Sequence, residues 1–165
     1  MSQDHFKLTA VVPLPDYRLR LTYADEQIFE IDLNEWIKTT KALRPLQDNS
    51  LFKQAKIGFA DRSVEWIEDE LDLAADNLRN LAIEQGGGIG FERIWNWLDE
   101  TGLTLDQAAD ALGISRRMLI YYRDGEKTIP RSIWLACLGW EAVRPKGNTL
   151  PQHIPTAREY AALHT

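Results

Sequence analysis

Arg116 and Arg117, followed by Ile120, Tyr121, Lys127 and Arg131, are the side chains of this sequence best equipped for chemistry, and that chemistry is recognition of a polyanion. A guanidinium can give bidentate hydrogen bonds to guanine O6 and N7, and an isoleucine can touch a thymine methyl. A tyrosine can stack or bond phosphate, while Lys127 and Arg131 suit phosphate positioning. Residues 113–146 carry seven Lys and Arg against three Asp and Glu, a local balance of +4. The whole chain stands at −6, yet a polyanion feels the local patch, within a Debye length of about 8–10 Å. Other candidates offer less. His5, His153 and His164 lack metal-ligand spacing and read as solvated. Cys137 falls on the apolar side of a helical pattern and reads as a buried small hydrophobe. The acidic group Glu65, Glu68, Asp69, Glu70 and Asp72 has neither calcium-loop spacing nor a neighbouring base, so it reads as a solvated loop. The glycine run 86–90 follows a helical segment and lacks the Lys-Ser/Thr of a phosphate cradle. No enzyme, cofactor or metal site is expected.

A base reader must be held by a helix, and the sequence supplies one. Thr104 can cap a helix from Leu105 to Leu112, and Gly113 can take the left-handed conformation that stops it. Ser115 then caps a third helix through about Arg123, and Pro130 opens a fourth through Ile133, Trp134, Cys137 and Leu138. At 100° per residue, Leu119 and Tyr122 turn inward, while Arg116, Arg117, Ile120, Tyr121 and Asp124 turn out. Ala109 is small where two steeply crossing helices approach. Phe91, Ile94, Trp95 and Leu98 form one face of a preceding helix that ends near Gly102.

The first half differs in pattern and in charge. Residues 1–85 hold 10 Lys and Arg against 16 Asp and Glu, whereas residues 86–165 hold nine of each. Tyr17 to Tyr23 and Phe29 to Leu33 alternate apolar and polar, which predicts a hairpin turning at Ala24–Gln27. Phe6 to Val12 suggests another strand, ended by Pro13 and Pro15. Asn34 is expected to cap a short helix, and a second hairpin joins Lys56–Phe59 to Val64–Ile67. Leu73 to Gln85 reads as a helix. The expected organisation is an α+β interaction or sensing domain at 1–85, a glycine-rich linker at 86–90, and an all-α domain at 91–165. With 165 residues, 44% hydrophobic and 27% charged, the chain has ordinary globular composition. One Cys, no signal-like N-terminus and no long apolar run lead to the expectation of a soluble cytoplasmic protein.

Two resemblances follow from these residues. Leu103-Thr104, Ala109, Leu112-Gly113-Ile114-Ser115, Gly125 and Ile129-Pro130 resemble the helix-turn-helix of lambda-repressor-like regulators over residues 91–142. That resemblance implies a compact bundle of four or five helices. Asp16-Tyr17, Phe29, Asp32-Leu33, Leu46, Asp48, Phe52, Val64, Trp66 and Asp72-Leu73 resemble a small bacterial domain of unknown function that occurs alone or fused to a DNA-binding domain. In that domain Asp-Gly is frequent at the first hairpin turn, where this chain has Asp25-Glu26. The combined expectation is a sequence-specific binder of double-stranded DNA, a transcriptional regulator acting as a homodimer, with no membrane association. The alternative is an adaptor or antitoxin-like protein that binds a protein partner through its acidic N-terminal domain.

Overall fold

A computed structural model describes residues 4–143 and 156–163. The first half folds into two three-stranded antiparallel sheets with short helices. Strands β1 (Leu8–Leu14), β2 (Arg18–Tyr23) and β3 (Ile28–Asp32) form one sheet in that order. Strict alternation in β2 buries Leu19, Leu21 and Tyr23 and leaves Arg18 and Arg20 outside, where both meet Glu30 of β3. The turn between them holds Glu26 at a φ of 67°, the conformation that a glycine adopts without strain. Short helices α1 (Asn34–Thr39) and α2 (Asn49–Phe52) follow. Strands β4 (Lys56–Ile57), β5 (Ser63–Ile67) and β6 (Leu71–Ala74) make the second sheet, and helix α3 (Ala75–Gln85) leaves it.

Three local expectations are corrected here. Pro13 does not end β1 but pairs with Leu19 inside it, which an edge strand tolerates because the missing N–H faces no partner. At its other end Phe6, expected in the strand, closes the 3₁₀ turn Asp4–Phe6, and β1 starts at Leu8. Asn34 lies inside α1 rather than capping it; its side chain donates to Asp16 O and Asp32 Oδ1. Leu73 and Ala74 belong to β6, since Val64 pairs with Leu73 and Ser63 with Ala74 before the helix can begin.

The first core gathers Leu19, Leu21, Ile31, Leu46, Phe52, Val64 and Leu78. Aromatic polar tips that enter it are satisfied: Tyr23 Oη donates to Ala75 O at 2.8 Å, and Trp66 Nε1 to Phe52 O at 3.0 Å. Helix α3 also buries Arg79, whose guanidinium grips both carboxylate oxygens of Asp25 at 2.7 and 3.1 Å and donates to His5 O at 2.9 Å.

The C-terminal region is helical: α4 (Glu92–Thr101), α5 (Leu105–Leu112), α6 (Arg116–Arg123), α7 (Arg131–Val143) and α8 (Ala157–Leu163). Its core collects Ile94, Trp97, Ala108, Leu119, Ile129, Cys137 and Trp140, and it draws in Phe6 from the start of the chain. Trp97 and Trp140 meet edge to face at 5.9 Å. Trp95 departs from the expected inner face of α4. It is half exposed and lies beneath the Arg123 guanidinium, while Trp97 takes the core position. Among the described residues, no helix is long and apolar enough to cross a membrane.

The glycine run is spent on closing α3 and opening α4. Gly86, Gly87 and Gly88 donate backbone N–H groups to Ala82, Glu84 and Ile83 carbonyls. Gly90 N–H donates to Glu84 Oε1 at 2.8 Å, and Glu92 N–H to Asn80 Oδ1 at 3.1 Å. The first turn of α4 is therefore capped from α3. A Cβ at Gly90 would come within 2.1 Å of Asn80 Oδ1, so any larger residue here would displace the side chains that cap α4.

The Asp25–Arg79 pair gives a pH-dependent prediction. Burial alone would raise the Asp25 pKa, but the hydrogen bonds and charge of Arg79 hold it below the ordinary carboxylate value. A folded pKa below the unfolded one means stabilisation that is complete above about pH 4 and lost as pH falls through the folded value. Asp25→Asn should lower stability by about 1–3 kcal/mol at pH 7. In urea melts the gap to wild type should close on acidification to below the folded pKa.

Candidate nucleic-acid interface

The outward face of α6 owes its position to local rules on either side. Thr104 Oγ1 accepts from Gln107 N–H at 3.2 Å and Gln107 Oε1 accepts from Thr104 N–H at 3.0 Å, a reciprocal capping box that fixes where α5 starts. Gly113 ends α5 at a φ of 71°, and Ile114 N–H returns to Ala109 O at 3.0 Å. Ser115 Oγ then accepts from Met118 N–H at 3.1 Å and starts α6. Ala109, 4% exposed, sits in the core beside this turn, and α5 packs directly on α6. Leu119 and Tyr122 point inward as their spacing required.

Arg116 and Arg117 occupy the exposed first turn of α6. Arg116 lies 3.6 Å from Asp106 of α5, both side chains more than half exposed, so the pair contributes little. Arg117 Nε donates to Tyr121 Oη at 2.6 Å, and its guanidinium lies 5.4 Å from the tyrosine ring centre. Lys127 Nζ reaches the same ring at 5.0 Å. Tyr121 thus gathers two cations beside one half-buried phenol. Ile120 is half buried on the same helix. Arg131 is exposed at the start of α7 and lines a different groove, with Glu84, Arg93 and Trp134.

Several participants had no usable signal in the sequence. Asp106 becomes a partner of Arg116 only through the crossing of α5 and α6. Asp124, expected on the outward face, instead ends α6, with its carboxylate on Arg123 at 2.8 Å. His5, expected to be solvated, is half buried, and its Nε2–H donates to Asp124 O at 2.9 Å across 119 residues of sequence. His153 and His164 lie outside the described residues.

Elsewhere the chemistry is quiet. Burial pushes the Cys137 thiol up to about 12, so it stays protonated at neutral pH. Glu65 pairs with Lys56 at 3.5 Å. Among the described residues, no group of three or more His, Cys, Asp or Glu is arranged to hold a metal ion. Glu84 is held below its ordinary value chiefly by its hydrogen bonds with Arg93, a second link between α3 and α4.

Comparison with known proteins gives two matches. Residues 8–84 match the family described as "Protein of unknown function (DUF2442)". The crystal structure of "Putative DNA Binding Protein NE0471" from Nitrosomonas europaea ATCC 19718 is 44% identical in sequence and superposes with a TM-score of 0.80. The match covers 91% of this chain and 96% of that one. Among curated proteins, none matches the chain.

Inward and outward positions of α6 should separate cleanly in mutation. Leu119→Ala should destabilise the protein by about 2–5 kcal/mol, because it opens a cavity in the second core. Arg117→Ala should cost under about 1 kcal/mol, since only exposed contacts to Tyr121 are lost. Chemical denaturation of the two variants measures the difference.

Proposed function

Because the chain belongs to the same family as the Nitrosomonas europaea protein, with its DUF2442 domain at residues 8–84, we propose that it is a sequence-specific binder of double-stranded DNA. In this reading α5 and α6 are a helix-turn-helix of the lambda-repressor-like kind, and the protein is a cytoplasmic transcriptional regulator. The observation that carries it is the exposed Arg116-Arg117 pair on the first turn of a doubly capped helix, with Lys127 gathered beside it on Tyr121. The first turn of a recognition helix is what meets base edges in the major groove. Arg116 and Arg117 read guanine, Ile120 meets a thymine methyl, and Tyr121, Lys127 and Arg131 position the phosphates. Asp106 and Tyr121 then act as placeholders, holding the guanidinium groups until DNA displaces or joins them.

A single reader of this size buries too little surface for useful affinity, so the proposed state on DNA is a homodimer spanning two half-sites. The DUF2442 half would supply part of that contact. Its charge of −6 and the Phe59 side chain, 90% exposed at a hairpin tip, favour a second reading in which it docks a basic protein partner. Catalysis forms no part of either reading.

Selection from a random duplex pool at two salt concentrations tests the proposal. Enrichment of a half-site repeated about 34 Å apart is expected. Arg116→Ala or Arg117→Ala should then cost about 1–3 kcal/mol at the selected site and relax preference at one base pair. Lys127→Ala should weaken all sequences alike and lower the salt slope by about one unit. If folded Arg variants bind the selected duplex as well as wild type, α6 is not the reader and the protein-partner reading takes its place.

A further inference from the structure

Strand β3 lies at an edge, since the first sheet runs in the order β1, β2, β3. The ladder fixes which of its groups face outward. Leu33 N–H donates to Tyr17 O at 3.0 Å and Tyr23 N–H to Gln27 O at 2.9 Å, and the pairs between them keep the same register. Bonded and non-bonded pairs alternate in an antiparallel ladder, so Phe29 and Ile31 turn their main chain to β2. Ile28, Glu30 and Asp32 turn theirs to the open edge. One of these three positions is already filled. Gln85, at the end of α3, accepts from Asp32 N–H at 2.9 Å and donates to Asp32 O at 2.8 Å, as a neighbouring strand would. The outward groups of Ile28 and Glu30 have no such partner among the described residues.

A groove of about 790 Å³ runs beside that edge, with β3 on one side and the end of α3 on the other. Ile28, 61% exposed, gives it an apolar end. Asp16 and Asp32 line the opposite end. Arg18 and Arg20 both go to Glu30, which leaves Asp16 and Asp32 without an ion pair among the described residues. Hydrogen bonds from Asn34 hold the Asp32 carboxyl below its ordinary value, so it is charged at neutral pH. A polyanion would meet these two unmatched carboxylates, and a second copy would bring one half of charge −6 against another. A basic chain meets neither obstacle. Extended peptides add to open sheet edges, where main-chain bonds give affinity and alternate side chains give specificity. We propose that the β3 edge takes up an extended segment of a basic protein partner as a fourth, antiparallel strand. Its main chain bonds Ile28 and Glu30, an apolar side chain lies beside Ile28, and a lysine or arginine faces Asp16 and Asp32.

Register dictates the sequence pattern of the occupant. On an antiparallel strand, the residues opposite Asp32, Glu30 and Ile28 fall at alternate positions on one face. They are basic, polar and apolar in that order, each separated by one residue. The proposal rests on the reading in which the DUF2442 half docks a basic protein; DNA binding by α6 has no part in it.

The peptide acetyl-Lys-Val-Thr-Val-Ile-Thr-amide carries that pattern, and its titration is followed by the amide chemical shifts of the full chain. It should bind with a Kd below about 1 mM, with the largest shifts at Ile28 and Glu30. N-methylation of its third and fifth residues removes the donors to Glu30 O and Ile28 O and should weaken binding at least about tenfold. Methylation of its two valines, whose N–H groups face away, should change affinity less than about threefold. Ile28→Lys should weaken binding at least about tenfold by replacing the apolar contact with a like charge. Glu30→Pro should abolish it by removing an edge N–H, a loss that β1 tolerates at Pro13, whereas Glu30→Gln should bind like wild type. The methylated peptides read the edge in the unaltered protein, so the test does not depend on the proline variant folding. Equal binding of the parent and of the peptide methylated at its third and fifth residues overturns strand addition and leaves the basic-partner reading standing. No saturable shift up to about 10 mM overturns the edge site; if poly-L-lysine also fails to bind, the basic-partner reading falls with it.

Discussion

A guanidinium taken out of water must find partners, and the rest of this structure is arranged around that demand at Arg79. Apart from Ser63, it is the only buried polar or charged residue among those described. Its partners come from two separate stretches of chain. Asp25 at the tip of the first hairpin gives the carboxylate, and Tyr23 and Phe29 present ring faces at 4.9 and 5.3 Å. His5 at the chain's beginning gives a carbonyl. That last bond holds the 3₁₀ turn in place, and from there the His5 ring reaches Asp124 while Phe6 enters the second core. One buried charge on α3 thus connects the first sheet, the start of the chain and the end of α6.

The same helix carries the second connection. Asn80, next to Arg79, and Glu84, one turn further on, accept from the backbone at the start of α4, and Glu84 pairs with Arg93. Helix termini leave N–H groups that need acceptors, and here a neighbouring helix supplies them in place of a local cap. Phe91 at the α4 N-cap makes no side-chain cap of its own. Four glycines in five positions would suggest a loose joint on entropy alone. Hydrogen bonds from both flanking helices offset that cost, and at Gly90 the missing side chain leaves room for the Asn80 and Glu84 acceptors.

What the sequence made legible follows from the range over which each signal acts. The hairpin of β2 and β3 was readable because a period of two fixes which residues face inward, and α5 and α6 because Thr104, Gly113 and Ser115 act within four residues of their own positions. Leu119 and Tyr122 were placed inward by the same local arithmetic. The failures are long-range. Trp95 and Trp97 both fit an apolar stripe within a residue's tolerance, and the choice between them was made by Trp140 and Arg123, distant in sequence. Leu73 suits a helix by composition but was claimed by pairing with Val64. His5 carried no pattern at all, since its partner is 119 residues away. Among the α6 residues, types and exposure were legible, whereas Asp106 opposite Arg116 required the helix crossing.

The intramolecular partners of the arginines bear on how such a face would work. Exposed ion pairs and exposed cation–π contacts each contribute under about 1 kcal/mol, so neither Asp106 nor Tyr121 holds its arginine strongly. A phosphate or guanine edge can replace them at small cost. Tyr121 does more than occupy Arg117, because its hydroxyl fixes the position of Nε and its ring sets Lys127 beside it. Long cationic side chains lose rotamer entropy when they bind, and restraining them beforehand reduces that loss. The net charge of −6 stands against this face only at distances where salt already screens it. At contact range the helix presents its arginines and the loop after it Lys127, organised by one tyrosine. The carboxylate that ends the helix, Asp124, is bound to Arg123 and therefore withdrawn from opposing the arginines.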